Sequence, residues 1–187
     1  FEPTPHAKLG PVVAEYRYVD ERKALLYLNV RYENPKTFRV KRLDKAGRWV
    51  WKLDDVRRVI YRLSELAGHA TVFYVEGEKD ADALWSLGLP ATTHIGGAKS
   101  WKPIYLEQLR AAQVRRLIVL PDHDEPGMSM GTAIATAAAR VMEVKLVRFP
   151  GVAVTSDHGH DMSDWFAAGH TKDDLAELVR ATAVFDP

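Results

Sequence analysis

Apolar and aromatic positions alternate with charged ones in three short runs near the start of the chain, 12–19 (VVAEYRYV), 25–33 (LLYLNVRYE) and 37–42 (TFRVKR). Their period of two, their β-branched and aromatic content, and the breaks at Asp20-Glu21 and Asn34-Pro35 predict antiparallel strands joined by short turns. Asp44-Lys45-Ala46-Gly47 reads as a further turn. It leads to a short strand at Trp49–Trp51 and a connector bearing Arg57, Arg58 and Arg62. Residues 1–70 are therefore expected to form a small β-rich subdomain.

From residue 71 the period changes. A buried run at 71–75 (TVFYV) precedes a helical pattern at 79–87, and a short strand near 91–95, a helix at 104–112 and a strand at 116–120 (RLIVL) follow. A helix over 128–141, a strand at 143–149 and helices at 162–168 and 172–182 complete the chain. Such alternation implies an α/β class domain, 71–187, with an open, mostly parallel sheet and helices on both faces. In these sheets the functional edge lies beyond the carboxyl ends of the strands.

The 187 residues are 47% hydrophobic and 27% charged, the balance of a chain that packs a core. No apolar run approaches the roughly 18 residues that a membrane span needs, and Phe1-Glu2-Pro3-Thr4-Pro5 lacks the basic-then-apolar pattern of a signal peptide. Membrane and secretory readings fall away. Cysteine is absent, which excludes disulfides, thiolate zinc fingers, iron–sulfur clusters and a cysteine nucleophile within this chain. Any metal must sit on oxygen or imidazole, no organic cofactor is implied, and a cytoplasmic location is expected. The first residue is Phe1 rather than methionine, so a piece of a longer protein, or a processed chain, is expected.

A net charge of +1 conceals an asymmetry. Residues 1–70 carry 15 Lys and Arg against 9 Asp and Glu, and residues 71–187 carry 11 against 16. The basic excess gathers in 36–62, where Arg39, Lys41, Arg42, Arg57, Arg58 and Arg62 are interleaved with Trp49, Trp51 and Tyr61. Cations neutralise phosphates and rings stack on bases, so this pattern suits a nucleic-acid strand. It also suits a solvated sheet face over an aromatic core.

The acidic half narrows the choice. Strand 71–75 ends in Glu76-Gly77-Glu78-Lys79-Asp80, strand 116–120 in Pro121-Asp122-His123-Asp124, and His160-Asp161-Met162-Ser163-Asp164 follows strand 143–149 after a loop. Alternation in an extended segment aims Asp122 and Asp124 the same way, as two hard oxygen ligands suited to Mg²⁺. Crowded carboxylates repel one another, and a divalent cation removes that cost. Helix capping by Asp80, Asp124 and Asp164 is the alternative, since each stands near a predicted helix start.

These residues resemble the Toprim domain shared by bacterial-type DNA primases, type IA and II topoisomerases and some nucleases. The likeness rests on Val75-Glu76-Gly77-Glu78-Lys79-Asp80, Asp122-x-Asp124 after an apolar strand, and Asp161-x-x-Asp164, in that order over about 71–170. Gly159-His160-Asp161 is similar to the third acidic motif of replicative primases. Trp49-Val50-Trp51 and Val59-Ile60-Tyr61-Arg62-Leu63 resemble, less specifically, the segment before Toprim in primases of phages, plasmids and integrated elements. No topoisomerase tyrosine region or GHKL-type ATPase is found.

The resemblance implies a DNA primase core that makes RNA primers on single-stranded DNA from NTPs. Glu76 would be the catalytic glutamate, as a metal ligand or a general acid/base. Asp122 and Asp124 would hold Mg²⁺ or Mn²⁺, Asp161 and Asp164 would complete a second metal position, and Asp80 would bind metal or cap a helix. Such primases usually carry a cysteine-ligated zinc module upstream and sometimes a replicative helicase downstream. The rival readings are a Toprim nuclease using the same acids and a non-catalytic nucleic-acid-binding module.

Other motifs carry less. Gly96-Gly97-Ala98-Lys99 is not a Walker A loop, but Gly96, Gly97 and Lys99, with Lys79, are candidates for holding a triphosphate or template phosphate. An ordinary glycine turn is the alternative. The pair His158 and His160 lacks a third placed ligand for zinc. His123, between two aspartates, suits loop packing better than phosphate contact, and no G-x-S-x-G elbow supports a hydrolase triad.

Overall fold

The computed structural model describes residues 9–97 and 100–187. Two compact units are present, one ending at Arg58 and the other running from Val59 to Pro187. In the first, β1 (Val12–Val19), β2 (Leu25–Tyr32), β3 (Thr37–Leu43) and β4 (Trp49–Val50) form an antiparallel sheet in chain order. Tyr18 stands opposite Tyr27, their buried rings stacked at 4.7 Å, and Leu28, Val30 and Tyr32 of β2 pack with Leu9, Leu25 and Trp51. Two aspartates fix the turns from within. Asp20 accepts the amides of Arg22 and Ala24, and Asp44 those of Ala46 and Arg48, as short polar side chains do at turns.

In the second unit β5 (Thr71–Tyr74), β6 (Ala91–Thr92), β7 (Arg116–Val119) and β8 (Glu143–Leu146) form a parallel sheet in the order β6-β5-β7-β8. The helices are α1 (Glu78–Ser86), α2 (Pro103–Ala111), α3 (Glu125–Ala138), α4 (Met162–Ala167) and α5 (Lys172–Ala181). The step from β5 to β6 runs one way across the sheet and the later steps run the other. Right-handed crossovers then put α1 on one face and α2 and α3 on the opposite one. The packing agrees, with α2 against α3 and α1 against α4. This is the expected α/β architecture, and its reversal point lies between the carboxyl ends of β5 and β7.

The boundary between the units differs from the expected one at residue 70. Tyr61 N donates to Thr93 O, Thr92 Oγ1 donates to Tyr61 O, and Ile60 N donates to Gln108 Oε1. Val59, Ile60 and Tyr61 are buried along the outer edge of β6 and belong to the α/β unit. At the opposite edge Phe185 N donates to Val144 O of β8.

Two other differences have local causes. Helix α3 opens at Glu125 instead of 128 because Asp124 caps it and Pro126 suits a first turn that needs no amide donor. Strand β8 stops at Leu146 because Phe149 N bonds to the imidazole of His123, leaving the ladder. The loop after β8 then returns along the segment after β7. His123 N donates to His160 O, Thr155 N to His123 O, and Glu125 N to Thr155 O.

At Gly159 this loop presses on that segment so closely that a Cβ would fall 2.2 Å from His123 C and 2.4 Å from Asp124 N. Only glycine fits without moving main chain. Gly159→Ala is therefore expected to cost stability toward the upper end of the roughly 1–3 kcal/mol typical of overpacking, read as a lower urea midpoint at unchanged m-value.

Candidate active site

Glu76 leaves the end of β5, where Thr93 Oγ1 donates to its carbonyl and fixes the main chain. Asp122 leaves the neighbouring end of β7. The two meet at Gly127 in the first turn of α3. A Cβ there would lie 2.9 Å from Glu76 Oε2, 2.7 Å from Asp122 O and 3.1 Å from Asp122 Cβ. The missing side chain is thus what lets the Glu76 carboxylate approach. Burial pushes the Asp122 carboxyl up to about 8, and the negative charges of Glu76, Asp80, Asp161 and Asp124 add to the effect. Five of the six acids singled out from the sequence act on one another here.

The remaining contacts show how each acid is held. Asp124 has the extended backbone that alternation requires, φ −126° and ψ 168°. Its Oδ1 accepts from Gly127 N at 2.8 Å and its Oδ2 from Gly159 N at 3.0 Å. Asp80, buried in α1, accepts at Oδ1 from the hydroxyl of Ser163 at 2.5 Å and from its amide at 3.2 Å, which ties α1 to α4. Burial raises the Asp80 pKa, Ser163 opposes the rise, and Asp161 adds to it. Asp161 and Asp164 form the capping box of α4. Asp161 Oδ1 accepts from Asp164 N at 2.8 Å, and Asp164 Oδ2 accepts from Asp161 N at 3.2 Å. Asp161 also acts on Asp122 and Asp80, whereas exposed Asp164 serves the cap. Ser163 was not singled out from the sequence, and nothing in its neighbourhood there signals a bond to a helix 83 residues away.

Lys79 is exposed in the first turn of α1, and its charge favours ionised Asp80. Gly96 and Gly97 form a left-handed turn, φ +94° and +64°, and a Cβ at Gly97 would lie 4.0 Å from Glu76 Oε1. Lys99 lies outside the described residues. Beneath the turn the Tyr74 hydroxyl lies 2.9 Å from His94 Nδ1, and His94 Nε2 lies 3.1 Å from Gly97 O. His123 packs in the loop. Its Nε2 accepts from Phe149 N and its ring stacks on Phe149 at 5.1 Å. His158 is exposed beside Asp157, while His160 lies edge-on to Phe149.

The candidate nucleic-acid residues divide. On β3, Arg39 and Lys41 stand opposite Val30 and Leu28, which stand opposite Glu15 and Arg17. Lys41 pairs with Glu15 and lies 5.0 Å from the Trp49 ring centre and 5.5 Å from that of Trp51. Arg39 is exposed on the same face, bonded to Phe38 O and Thr37 Oγ1. Arg17 joins this face through the register, and the outward alternation of Glu15 and Arg17 is the signal that would have found it. The other arginines have internal partners. Arg42 bonds Leu43 O, and Arg57 grips Glu21 with two bonds of 2.7 and 2.8 Å. Arg58 holds Leu53 O, and Arg62, in the α/β unit, pairs with Asp82 and Glu65 between the rings of Tyr61 and Trp85.

Among the described residues no group of three or more His, Asp or Glu side chains is placed to hold a metal ion by itself. The donor set is all carboxylate, crowded and repelling at Asp122. Carboxylate donors are of the kind that small hard cations use, one or two at a time, with water and phosphate oxygens completing the shell. A soft-metal site would need different ligands.

The pH dependence follows from the same shift. Asp122 is pushed up to about 8 from an ordinary 3.8, so the folded metal-free chain keeps a proton that the unfolded chain has released. Its stabilising effect is complete below the ordinary value and is lost as pH rises through about 8. Burial lowers His94 to about 4 and also lowers His123, so below pH 6.5 these neutral imidazoles make stability rise with pH. Between about pH 6.5 and 8 denaturant midpoints without metal are therefore expected to fall, and Asp122→Asn should flatten that fall.

No family model matches the chain, and no curated protein matches it. Its fold matches solved structures. Against a DNA primase domain from Pseudomonas aeruginosa the TM-score is 0.66 at 17% identity, covering 91% of this chain and 51% of the other. Against the zinc-binding and RNA polymerase domains of the Aquifex aeolicus primase it is 0.65 at 16% identity, covering 91% and 40%. Against the primase fragment of the bacteriophage T7 primase-helicase it is 0.59 at 18% identity, covering 88% and 61%. The chain spans about half the length of these structures. With a four-stranded antiparallel sheet followed by a parallel sheet whose acids gather at the reversal point, it has the Toprim-like α/β fold of bacterial-type primase cores.

Proposed function

We propose that this chain is the catalytic core of a DNA primase, catalysing metal-dependent, template-directed synthesis of RNA primers on single-stranded DNA. The observation that carries the reading is the Asp122 carboxyl within the field of Glu76, Asp80, Asp161 and Asp124 at the reversal point of the sheet. The likeness in fold to primase domains supports it.

In this reading Glu76 and Asp122, with Asp161 beside them, hold Mg²⁺ or Mn²⁺. Asp80 orients α1 and Asp124 keeps the loop in place. When bound, the cation offsets charge on the phosphoryl oxygens and the leaving pyrophosphate and makes the 3′-hydroxyl easier to deprotonate. Glu76 serves as ligand or as base. Lys79, Lys99 and the Gly96-Gly97 turn receive the triphosphate. Arg17 and Arg39 neutralise template phosphates while Trp49 offers a stacking surface, and Lys41, paired with Glu15, holds the Trp49 and Trp51 rings. The Aquifex structure carries a zinc-binding domain and the phage fragment comes from a primase-helicase. A zinc module and a replicative helicase are accordingly the partners proposed for the whole protein. No described helix is long and apolar enough to cross a membrane, and a cytoplasmic location is proposed.

Mg²⁺ or Mn²⁺ is expected to raise the melting temperature, and Asp122→Asn to abolish the rise; an unchanged wild-type curve at saturating metal counts against the site. Glu76→Gln should leave folding and DNA binding intact and lower NTP incorporation by about 10²–10⁴-fold. Template shortening without synthesis would point to a nuclease instead. On single-stranded DNA, Arg17→Ala with Arg39→Ala should reduce the slope of log affinity against log salt by about 0.7 for each phosphate no longer neutralised. Arg57→Gln should leave that slope nearly unchanged, because Arg57 is engaged by Glu21.

A further inference from the structure

Four aromatic rings form a continuous stack in the α/β unit. His123 lies on Phe149 at 5.1 Å, Phe149 on Trp165 at 5.4 Å, and Trp165 on His170 at 4.2 Å, with interplanar angles of 19°, 15° and 9°. The three inner rings are buried, while His170 is exposed at the far end. Close packing on both of its faces leaves the Trp165 indole no room to turn, so the imidazole that lies on it has a fixed floor. The stack thus presents one flat ring to solvent in a set place.

That place is the wall of a groove. A depression of about 330 Å³ is bordered by Pro150, Trp165, His170, Asp174, Glu177 and Leu178. Glu177 and Leu178 follow Asp174 by three and four residues, so the three share one face of α5. Thr171 donates its amide and its hydroxyl to Asp174 Oδ2, both at 2.7 Å. These bonds hold the Asp174 carboxyl below its usual range, and His170 adds to the effect. Among the described residues no lysine or arginine pairs with Asp174 or Glu177. Residues 161–181 as a whole hold Asp161, Asp164, Asp173, Asp174 and Glu177 against Lys172 and Arg180. The surface therefore combines a flat ring, an apolar patch and carboxylates that have no cation of their own.

We propose that this groove is a docking site for a partner protein's basic segment, in which an arginine between apolar residues stacks its guanidinium on His170 and pairs it with Glu177 and Asp174. The apolar neighbours of that arginine cover Leu178 and Pro150. Charge selects this occupant: a nucleic-acid strand is repelled by the two acids, and a neutral apolar segment leaves them beside it without a counter-charge. Geometry selects arginine over lysine, because a guanidinium is planar, weakly hydrated and forked, so one group serves both the ring and the carboxylates. The groove shares no residue with the carboxylate edge at Glu76 and Asp122, so the assignment stands apart from the primase reading.

The test titrates the whole isotope-labelled chain with a blocked tripeptide, Leu-Arg-Leu, and with its citrulline and lysine counterparts, following amide and indole signals by NMR. The arginine peptide at millimolar concentration should shift the Trp165 indole and the amides of 170–181. Citrulline, which keeps the shape and loses the charge, and lysine, which loses the planar fork, should bind at least about fivefold more weakly. Glu177→Gln and His170→Ala should each weaken the arginine peptide about fivefold, and His170→Phe should restore a stacking face and most of the affinity. Both residues are exposed, and melting temperatures check that the variants fold. If His170→Ala does not fold, Glu177→Gln and the citrulline comparison decide. No shift at 165–181, equal binding of the citrulline peptide, or variants that bind as wild type overturns the assignment. Shifts of the same signals by oligothymidylate would give the groove to nucleic acid, and self-association lost in Glu177→Gln would give it to a second copy of the chain. Either result overturns the proposal as well.

Discussion

The carboxylate of Asp124 accepts one amide from the start of α3 and another from the loop that follows β8. These two bonds join segments that the order of the chain keeps apart. The helix-capping bond sets where Gly127 sits and hence how near Glu76 approaches. The bond to Gly159 seats the loop that brings Asp161 within range of Asp122. A carboxylate oxygen that accepts amides in a buried place is held directionally, and here the two bonds tie the loop after β8 to the start of α3. The repulsion that accumulates around Asp122 is its consequence: acids are gathered by bonds that do not themselves neutralise them.

The two units handle charge in different ways. In the first, cations are mostly bound to neighbours, as with Arg57 and Glu21, where the arginine pulls the Glu21 carboxyl down to about 2. Both partners are about half exposed, so solvent screens the pair and its contribution to stability is small. A basic composition is thus a poor guide to which arginines are available to a ligand. In the second unit the acids are assembled by backbone donors and helix caps, leaving their mutual repulsion in place.

Most elements were legible because their causes are local. The alternation in 12–19 and 25–33 becomes β1 and β2 with little change in their ends, and the βα rhythm after residue 71 gives the parallel sheet. The acids were legible as well, since strand ends in such a sheet have a known place. What escaped depended on contacts far along the chain. The start of the α/β unit at Val59 follows from bonds to Thr93 and Gln108, which no window around residue 60 contains. Ser163 and His94 were invisible for the same reason. A serine in a first helical turn and a lone histidine after a short strand have many ordinary uses, and only the fold reveals Asp80 above one and Gly97 above the other. Asp124 shows the reverse limit: ligand and cap are both correct chemistry for an aspartate before a helix, and the local sequence contains no term that separates them.

The bonds from Tyr61 along β6 and from Phe185 along β8 have a colloidal consequence. A parallel sheet with bare outer strands displays rows of amides and carbonyls that pair readily with another molecule. Here irregular segments from opposite ends of the unit take up part of those rows, Tyr61 N bonding to Thr93 O just past β6 and Phe185 N to Val144 O of β8. Val59–Tyr61 and Phe185 therefore leave each rim fewer bare groups with which another sheet could pair, a property set at the margins of the unit rather than in its core.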